Sequence, residues 1–349
     1  MRSTLPKWRA VLAGVAIAAM AATTLVGSAS VQAAPALKTG LKVAVIPKNL
    51  GNSYFTTADS VKSGGALAAL KALGESGVEI SGTTDTPASQ LPVIQSEITK
   101  GVNAIIISGT DPSALCPTLN SAMAKGIVVV TYDSDTNCRD LFIDQASPQG
   151  LGDIEVQMIA KEIDAASPSA ASGQIAIVSA SIDDTNQNTW IGYMKQKLKS
   201  YPHLDLVKTV YGNDDTATST QVTEGLLSEY PNLKGIISPT TVGIAAAAAV
   251  LDTAKYRGKV QLTGLGTPDE MKKYVADGTE KEFALWNPAD LGYLAAYAAV
   301  ELASKAITNA AGQSFVAGKL GKYTVGSGHT VLLGLPFVFD KANINQFNF

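Results

Sequence analysis

The sequence predicts an α/β protein built as two doubly wound parallel-sheet lobes. Short apolar runs of four to six residues, rich in β-branched side chains and bounded by Gly, Asp or Pro, alternate with amphipathic stretches of helical length. That alternation is then repeated in series. Strand–helix alternation implies a parallel sheet with helices on both faces, and runs that are apolar throughout are the mark of strands buried on both sides.

In the first half, Leu41–Ile46 reads as a strand, followed by a helix from about Ser53 to Leu73. A second strand begins at Val78-Glu79-Ile80, and Pro87 to Lys100 forms the next helix. Ala104–Ile107 is a fully apolar strand, Pro112 to Lys125 a helix, and Ile127–Val130 a fourth strand. The second half repeats the pattern, with strands at Gln174–Val178, Leu206–Val210, Gly235–Ile237 and Val260–Thr263. Its helices lie around Asn188–Lys199, Thr218–Tyr230, Ile244–Thr253 and Asp269–Ala276. A long helix, Leu291–Ala306, and the tail after Thr330 come last and cross back between the lobes.

The N-terminus has the layout of a secretory leader. Arg2, Lys7 and Arg9 precede an apolar, alanine-rich stretch from Ala10 to Val26, and small residues lead to a cleavage site at Ala33/Ala34. The stretch is short and weak for a membrane span, which needs about 20 apolar residues. The only cysteines, Cys116 and Cys138, lie far from the leader, so a lipid anchor directly after it is not expected; the mature protein should be periplasmic or extracellular. The formal net charge is −3, and removing the three leader cations leaves −6. No basic block is present, which argues against nucleic acid as a partner. Two cysteines in an exported chain suggest one disulfide, the alternative being two buried thiols.

In open parallel sheets ligands sit beyond the carboxyl ends of the strands. Here those ends are Pro47-Lys48-Asn49, Ser108–Asp111, Thr131–Asp135, Ser179–Asn188, Ser238–Thr241 and Gly264–Gly266, mostly polar and uncharged or carrying one carboxylate. Lys48, Asn49 and Asn52 with Tyr54 and Phe55 offer an ammonium, two amides and two aromatic faces at one strand end, suited to hydroxyls and to the apolar face of a sugar; Phe55 could equally be core. Asp133 and Asp135 could each accept hydroxyl hydrogen bonds, or Asp135 could support its loop. Their spacing fits neither a Ca²⁺ loop nor an established glycosidase pair. Asn186, Gln187 and Asn188 offer three consecutive amides at a strand-to-helix junction, where helix capping is the competing role. In Phe283–Asp290, Trp286 can stack on a sugar and Asn287 and Asp290 can hydrogen-bond it; alternatively Trp286 is core and Asp290 a carboxylate at a helix N-terminus. No dinucleotide fingerprint, P-loop or nucleophile elbow is present, and His203 and His329 are isolated, so no cofactor, metal or catalytic triad is expected.

These residues carry a resemblance. Pro47–Asn52, Thr131–Thr136, Thr185–Asn188 with Trp190, Ser238–Ala245, Leu262–Pro268, Ala284–Tyr293 and the tail Asn343–Phe349 resemble the periplasmic-binding-protein type I family, and within it the rhamnose-binding branch of ABC transporters. The likeness spans essentially the whole mature chain. The autoinducer-2-binding branch is similar too, sharing Lys48, the run at Asp133 and the cysteine pair. Its ligand-binding carboxylate, however, falls on Asn186, its neighbouring glutamine on Gln187, and its Pro-Asp-Ala segment on Pro239, Thr240 and Thr241, which favours the rhamnose branch. The Arg that follows the Asp in ribose-type receptors is Ser134 here.

The resemblance implies a hinge of three segments near Phe142–Ala146, Ala284–Asn287 and Leu333–Pro336. One lobe would take residues 41–142 with 288–333, the other 143–284 with 334–349, after a leader at 1–33. It also implies a monomeric, non-catalytic receptor that closes on a monosaccharide, rhamnose foremost, and delivers it to the membrane permease subunits of an ABC transporter. The alternative is a receptor for autoinducer-2 or another sugar, used in uptake or chemosensing.

Overall fold

The computed structural model describes residues 36–349; the leader reading for residues 1–33 lies outside them. In chain order, the first part comprises β1 (Lys42–Ile46), α1 (Ser53–Asp59), α2 (Ala66–Leu73), β2 (Ser76–Glu79), α3 (Pro87–Lys100), β3 (Ala104–Ile107), α4 (Cys116–Ala124), β4 (Val128–Tyr132) and β5 (Leu141–Ala146). Next come α5 (Pro148–Ile163), β6 (Gly173–Ser179), α6 (Thr185–Leu198), β7 (Leu204–Tyr211), α7 (Thr216–Glu229), β8 (Leu233–Ser238), α8 (Thr241–Leu251), β9 (Gln261–Gly264), α9 (Pro268–Asp277) and β10 (Glu282–Leu285). The chain closes with α10 (Pro288–Ala303), a hairpin of β11 (Ser314–Val316) and β12 (Lys322–Thr324), then β13 (Thr330–Gly334) and β14 (Phe337–Asp340).

One sheet has the order β13-β5-β4-β3-β1-β2 and the other β7-β6-β8-β9, all pairs parallel. An isolated parallel bridge, Leu265 to Ala284, joins β10 to the second sheet, and β14 pairs antiparallel with β10. The chain therefore passes between the lobes three times: from β5 to α5, from β10 to α10 and from β13 to β14. This is the two-lobed, three-segment arrangement that the resemblance implied, although β5 stays with the first sheet through Ala146, beyond the expected boundary at 142.

The apolar runs follow from double-sided burial. Val43, Val45, Ile106 and Val130 share one core cluster with residues of α1, α2 and α10. The alternate residues Ala44, Ile46, Ile105, Ile107 and Val129 face Ile94, Ile98 and Leu119 of α3 and α4. Helix α3 begins and ends as predicted: the Thr86 hydroxyl accepts from the Ser89 amide, Pro87 stands in the first turn, and Gly101 closes the helix at φ +68°. Cys116, opening α4, is bonded to Cys138 in the loop before β5, 22 residues away. A loop of that length supplies about 3 kcal/mol by restricting the unfolded chain.

Among the helices, the structure departs from expectation in two places. The single helix expected over Ser53–Leu73 is two, because the chain turns at Gly64 (φ +81°) and Gly65. A Cβ on Gly65 would lie 2.0 Å from the Ala58 carbonyl oxygen, and one on Gly292 of α10 would lie 1.9 Å from the same atom. Glycine at both positions lets α10 lie directly on the α1–α2 corner. The other departure is α5, which was not anticipated.

Gly292→Ala should therefore lower the thermal midpoint, with a cost of about 3 kcal/mol, the upper end for overpacking, because the obstacle is backbone. Gly225→Ala in α7, where nothing lies within 4 Å of the added carbon, should raise it by about 0.5–1 kcal/mol. Thermal or denaturant unfolding of the two variants checks both signs.

Candidate functional site

The strand ends of the two sheets face one another, and the residues that meet there are charged, buried and paired. Lys48 follows β1 of the first lobe, and its side chain is 1% exposed. Its Nζ lies 2.9 Å from Oδ2 of Asp184, which occupies the N-cap position of α6 in the second lobe and is fully buried. Asp85, Asp133 and Asp214 also lie close enough to act on Lys48. A single ammonium thus faces four carboxylates drawn from both lobes.

Asp133 follows β4 with φ +60°, a left-handed conformation that Asp adopts more readily than most residues. Its Oδ2 accepts from Ser108 Oγ at 2.8 Å. Its Oδ1 accepts from the Tyr54 hydroxyl at 3.2 Å and, across the cleft, from Asn186 Nδ2 at 3.3 Å. The Tyr54 oxygen in turn accepts from Trp286 Nε1 at 3.0 Å, so a hydrogen-bonded chain runs from the hinge to the carboxylate. In the second lobe Gln187 Oε1 accepts from Ser179 Oγ and the Ala180 amide, and Thr240 donates to the Asp214 carboxylate. Thr185 Oγ1 reaches back to the Asp135 carbonyl at 3.0 Å, and Ser53 Oγ donates to Glu270 at 2.8 Å, adding two more cross-lobe contacts.

These groups surround a small cavity of about 30 Å³. Its apolar walls are Phe55, Trp190, Leu265, Leu285 and Trp286. The aromatic rings meet edge to face, Trp190 and Tyr54 each with their centroid 6.0 Å from that of Trp286. Among the described residues no cluster of His, Cys, Asp and Glu is suited to a metal ion.

Of the residues singled out from the sequence, Lys48, Asn52, Tyr54, Phe55, Asp133, Asn186, Gln187, Pro239, Thr240, Thr241 and Trp286 line this cavity. Five stand off it. Asp135 is held by both nitrogens of an Arg139 fork at 2.8 Å. Asn188 donates to the Ile182 carbonyl at the protein surface. Asn287 caps α10 through the Ala289 amide, and Asp290 pairs with Lys319. Asn49 is buried next to Lys48 but forms no part of the lining. Asp214, Asp184, Asp85, Leu265 and Leu285 were not among the sequence candidates. Asp85 and Asp214 follow β2 and β7, two of the strand ends that the sequence reading passed over, so the strand-end rule itself would have found them.

Burial raises the carboxyl groups of Asp133, Asp184 and Asp214, with Lys48 opposing the rise. Burial lowers the Lys48 ammonium, but Asp184 and the three other carboxylates outweigh it and hold the group charged. Asp85 is pushed up to about 9, first by burial and then by Asp184 and Asp214 against the pull of Lys48. Neither Asp85 oxygen has a hydrogen-bond donor, nor does Oδ1 of Asp184. A proton on Asp85 supplies the missing donor, since two ionised carboxylates can only accept.

Asp85 therefore binds its proton on folding, its value rising from the ordinary 3.8 to about 9. This contribution is complete below the unfolded value and is lost as pH rises toward 9, by up to about 1.4 kcal/mol per pH unit. Wild-type stability should fall between pH 6 and 9 more steeply than that of Asp85→Asn, as read from denaturant midpoints across the range.

Comparison with known proteins agrees with the geometry. Residues 43–306 match the family model of the periplasmic binding protein domain. A sugar ABC transporter structure from Actinomyces odontolyticus is 41% identical, with 89% of this chain and all of that one covered, at a TM-score of 0.68. An ABC transporter solute-binding protein from Clostridium phytofermentas with bound L-rhamnose is 36% identical over 88% of this chain and 98% of its own, at 0.82. LsrB from Clostridium saccharobutylicum in complex with AI-2 is 26% identical over 88% of this chain and all of its own, at 0.83. With two doubly wound lobes, a buried polar cleft between them and a family match over most of its length, the chain belongs to the periplasmic binding protein family, whose members bind substrates without transforming them.

Proposed function

We propose that this chain is the extracytoplasmic solute-binding subunit of a sugar ABC transporter and that it captures a neutral monosaccharide, L-rhamnose foremost, between its lobes. The observation that carries the reading is the pairing of acceptors and donors from both lobes around one cavity, with aromatic faces beside them. Asp133 offers a carboxylate held by Ser108, Tyr54 and Asn186, and Lys48 a buried ammonium. Asp214, Thr240 and Thr241 face the cavity from the second lobe. Sugar hydroxyls are donors and acceptors at once, so they can satisfy both sets, while the ring's apolar face packs on Trp190 or Trp286. The L-rhamnose complex of the relative that is 36% identical supports the choice of sugar.

Capture would proceed by hinge closure. Contacts from both lobes favour the shut arrangement only by their affinity for it over the open one, and the sugar adds to that difference. The permease subunits would then receive a monomeric receptor with its lobes shut. The leader would place the mature chain outside the cytoplasm.

Titration calorimetry of residues 34–349 with L-rhamnose, ribose, galactose and autoinducer-2 tests the reading. One-to-one binding of L-rhamnose is expected. Asp133→Ala, checked as folded by circular dichroism, should weaken it by at least about 100-fold, the scale of losing charge-assisted hydrogen bonds in a buried site. Binding of autoinducer-2 but not L-rhamnose would move the protein to the other receptor branch.

A further inference from the structure

Three buried carboxylate oxygens where the lobes meet lack a donor: both of Asp85 and Oδ1 of Asp184. They come from opposite lobes. Asp85 stands in the loop between β2 and α3 of the first, and Asp184 precedes α6 of the second. The two side chains lie within hydrogen-bonding reach of one another, and neither lines the cavity, so a sugar held there does not supply the missing donor. The first lobe keeps Asp85 beside Lys48 by its own contacts. Ser81 Oγ donates to the Pro47 carbonyl at 2.7 Å, and the Leu50 amide to the Gly82 carbonyl at 2.8 Å, tying the loop of Asp85 to the loop of Lys48. With the lobes apart, water and the Lys48 ammonium both favour an ionised Asp85. Shutting the cleft brings Asp184 and Asp214 to the same ammonium, while Asp133 acts on Lys48 and Asp184 from the end of β4. Lys48 then pairs with Asp184 at 2.9 Å, and Asp85 is left facing Asp184 and Asp214.

We infer that the receptor takes up one proton from solvent together with its sugar, and that the shut lobes hold this proton between Asp85 and Asp184. The proton turns two facing acceptors into a donor and an acceptor, and so adds a hydrogen bond across the cleft. Opening the lobes returns it to solvent. The inference rests on the sugar capture and hinge closure proposed above. The rise of the Asp85 carboxyl to about 9 belongs to the shut arrangement, because it comes from burial and from Asp184 and Asp214 of the other lobe. The shut form thus holds the proton more tightly than the open one. Affinity for sugar is therefore highest at low pH and falls as pH rises toward about 9, by up to about 10-fold per pH unit. The loss of stability with pH described above is likewise a property of the shut form.

Titration calorimetry of the mature protein in phosphate and in Tris, buffers of very different ionisation enthalpy, counts the proton. The ligand is L-rhamnose, or whichever sugar of the panel above binds. At about pH 7.5 the heats should differ between the buffers by the amount for uptake of about one proton, and affinity should fall about 10-fold from pH 7 to 8. Asp85→Asn gives Asp184 an amide donor that does not titrate. It should show no buffer-dependent heat and an affinity that stays level from about pH 6 to 8; a merely structural role for Asp85 would shift affinity alike at every pH. Sugar that binds with equal heat in the two buffers overturns the inference and leaves the monosaccharide reading standing. Uptake that persists in Asp85→Asn overturns the assignment to Asp85 and Asp184. If no sugar of the panel binds, the monosaccharide reading falls and the inference falls with it. The wild-type measurement decides whether a proton is taken up even if the variant does not fold.

Discussion

The structure depends on one buried ion pair, Lys48 with Asp184, formed between lobes that are covalently joined only at the hinge. Taking an ammonium and a carboxylate out of water costs several kcal/mol each, repaid only when the partners meet with good geometry. Neither lobe can meet that condition alone, because Lys48 comes from the end of β1 and Asp184 from the start of α6. The pair is therefore a contact of the shut cleft. The parallel sheets make it possible: every strand of each parallel sheet ends on the same side, so polar loop residues collect there while the apolar strand interiors are covered by helices.

Around this pair the charge balance suits an uncharged ligand. Four carboxylates and one ammonium would carry a large negative charge if all were ionised, but burial raises the carboxyl groups and Asp85 keeps its proton at neutral pH. The remaining groups can exchange hydrogen bonds with hydroxyls without importing another charge. The aromatic cluster performs a second task, since Trp286 on the hinge segment steadies Tyr54, which in turn steadies Asp133. The hinge and the Asp133 carboxylate are thus connected by side chains as well as by the main chain.

Most of the fold was legible because the strands are short apolar runs buried on both faces, a pattern local enough to read residue by residue. Helix α5 was hidden because Gly152, Glu155 and Glu162 interrupt the apolar residues Leu151, Val156, Met158 and Ile159 on its buried face. Gly152 is required there because a Cβ would lie 2.7 Å from the Trp190 carbonyl on α6. The break between α1 and α2 could be suspected at Gly64–Gly65, but its cause, the passage of α10 over Ala58, comes from residues more than two hundred positions away. The site was legible wherever a polar run ended a recognised strand. Alternatives stayed open where scaffold and lining residues look alike: Asp135 differs from Asp133 through Arg139 four residues on, and Asp290 pairs with Lys319, which no local pattern reveals.

The central claim is that ligand capture and lobe closure are one event, with Lys48 and Asp184 meeting as the sugar is enclosed. Small-angle X-ray scattering of the mature protein with and without saturating L-rhamnose tests it most directly. A smaller radius of gyration with sugar, diminished when Lys48→Met removes the cross-cleft ion pair, is the predicted result. Saturating sugar that binds yet leaves the scattering curve unchanged would contradict the account.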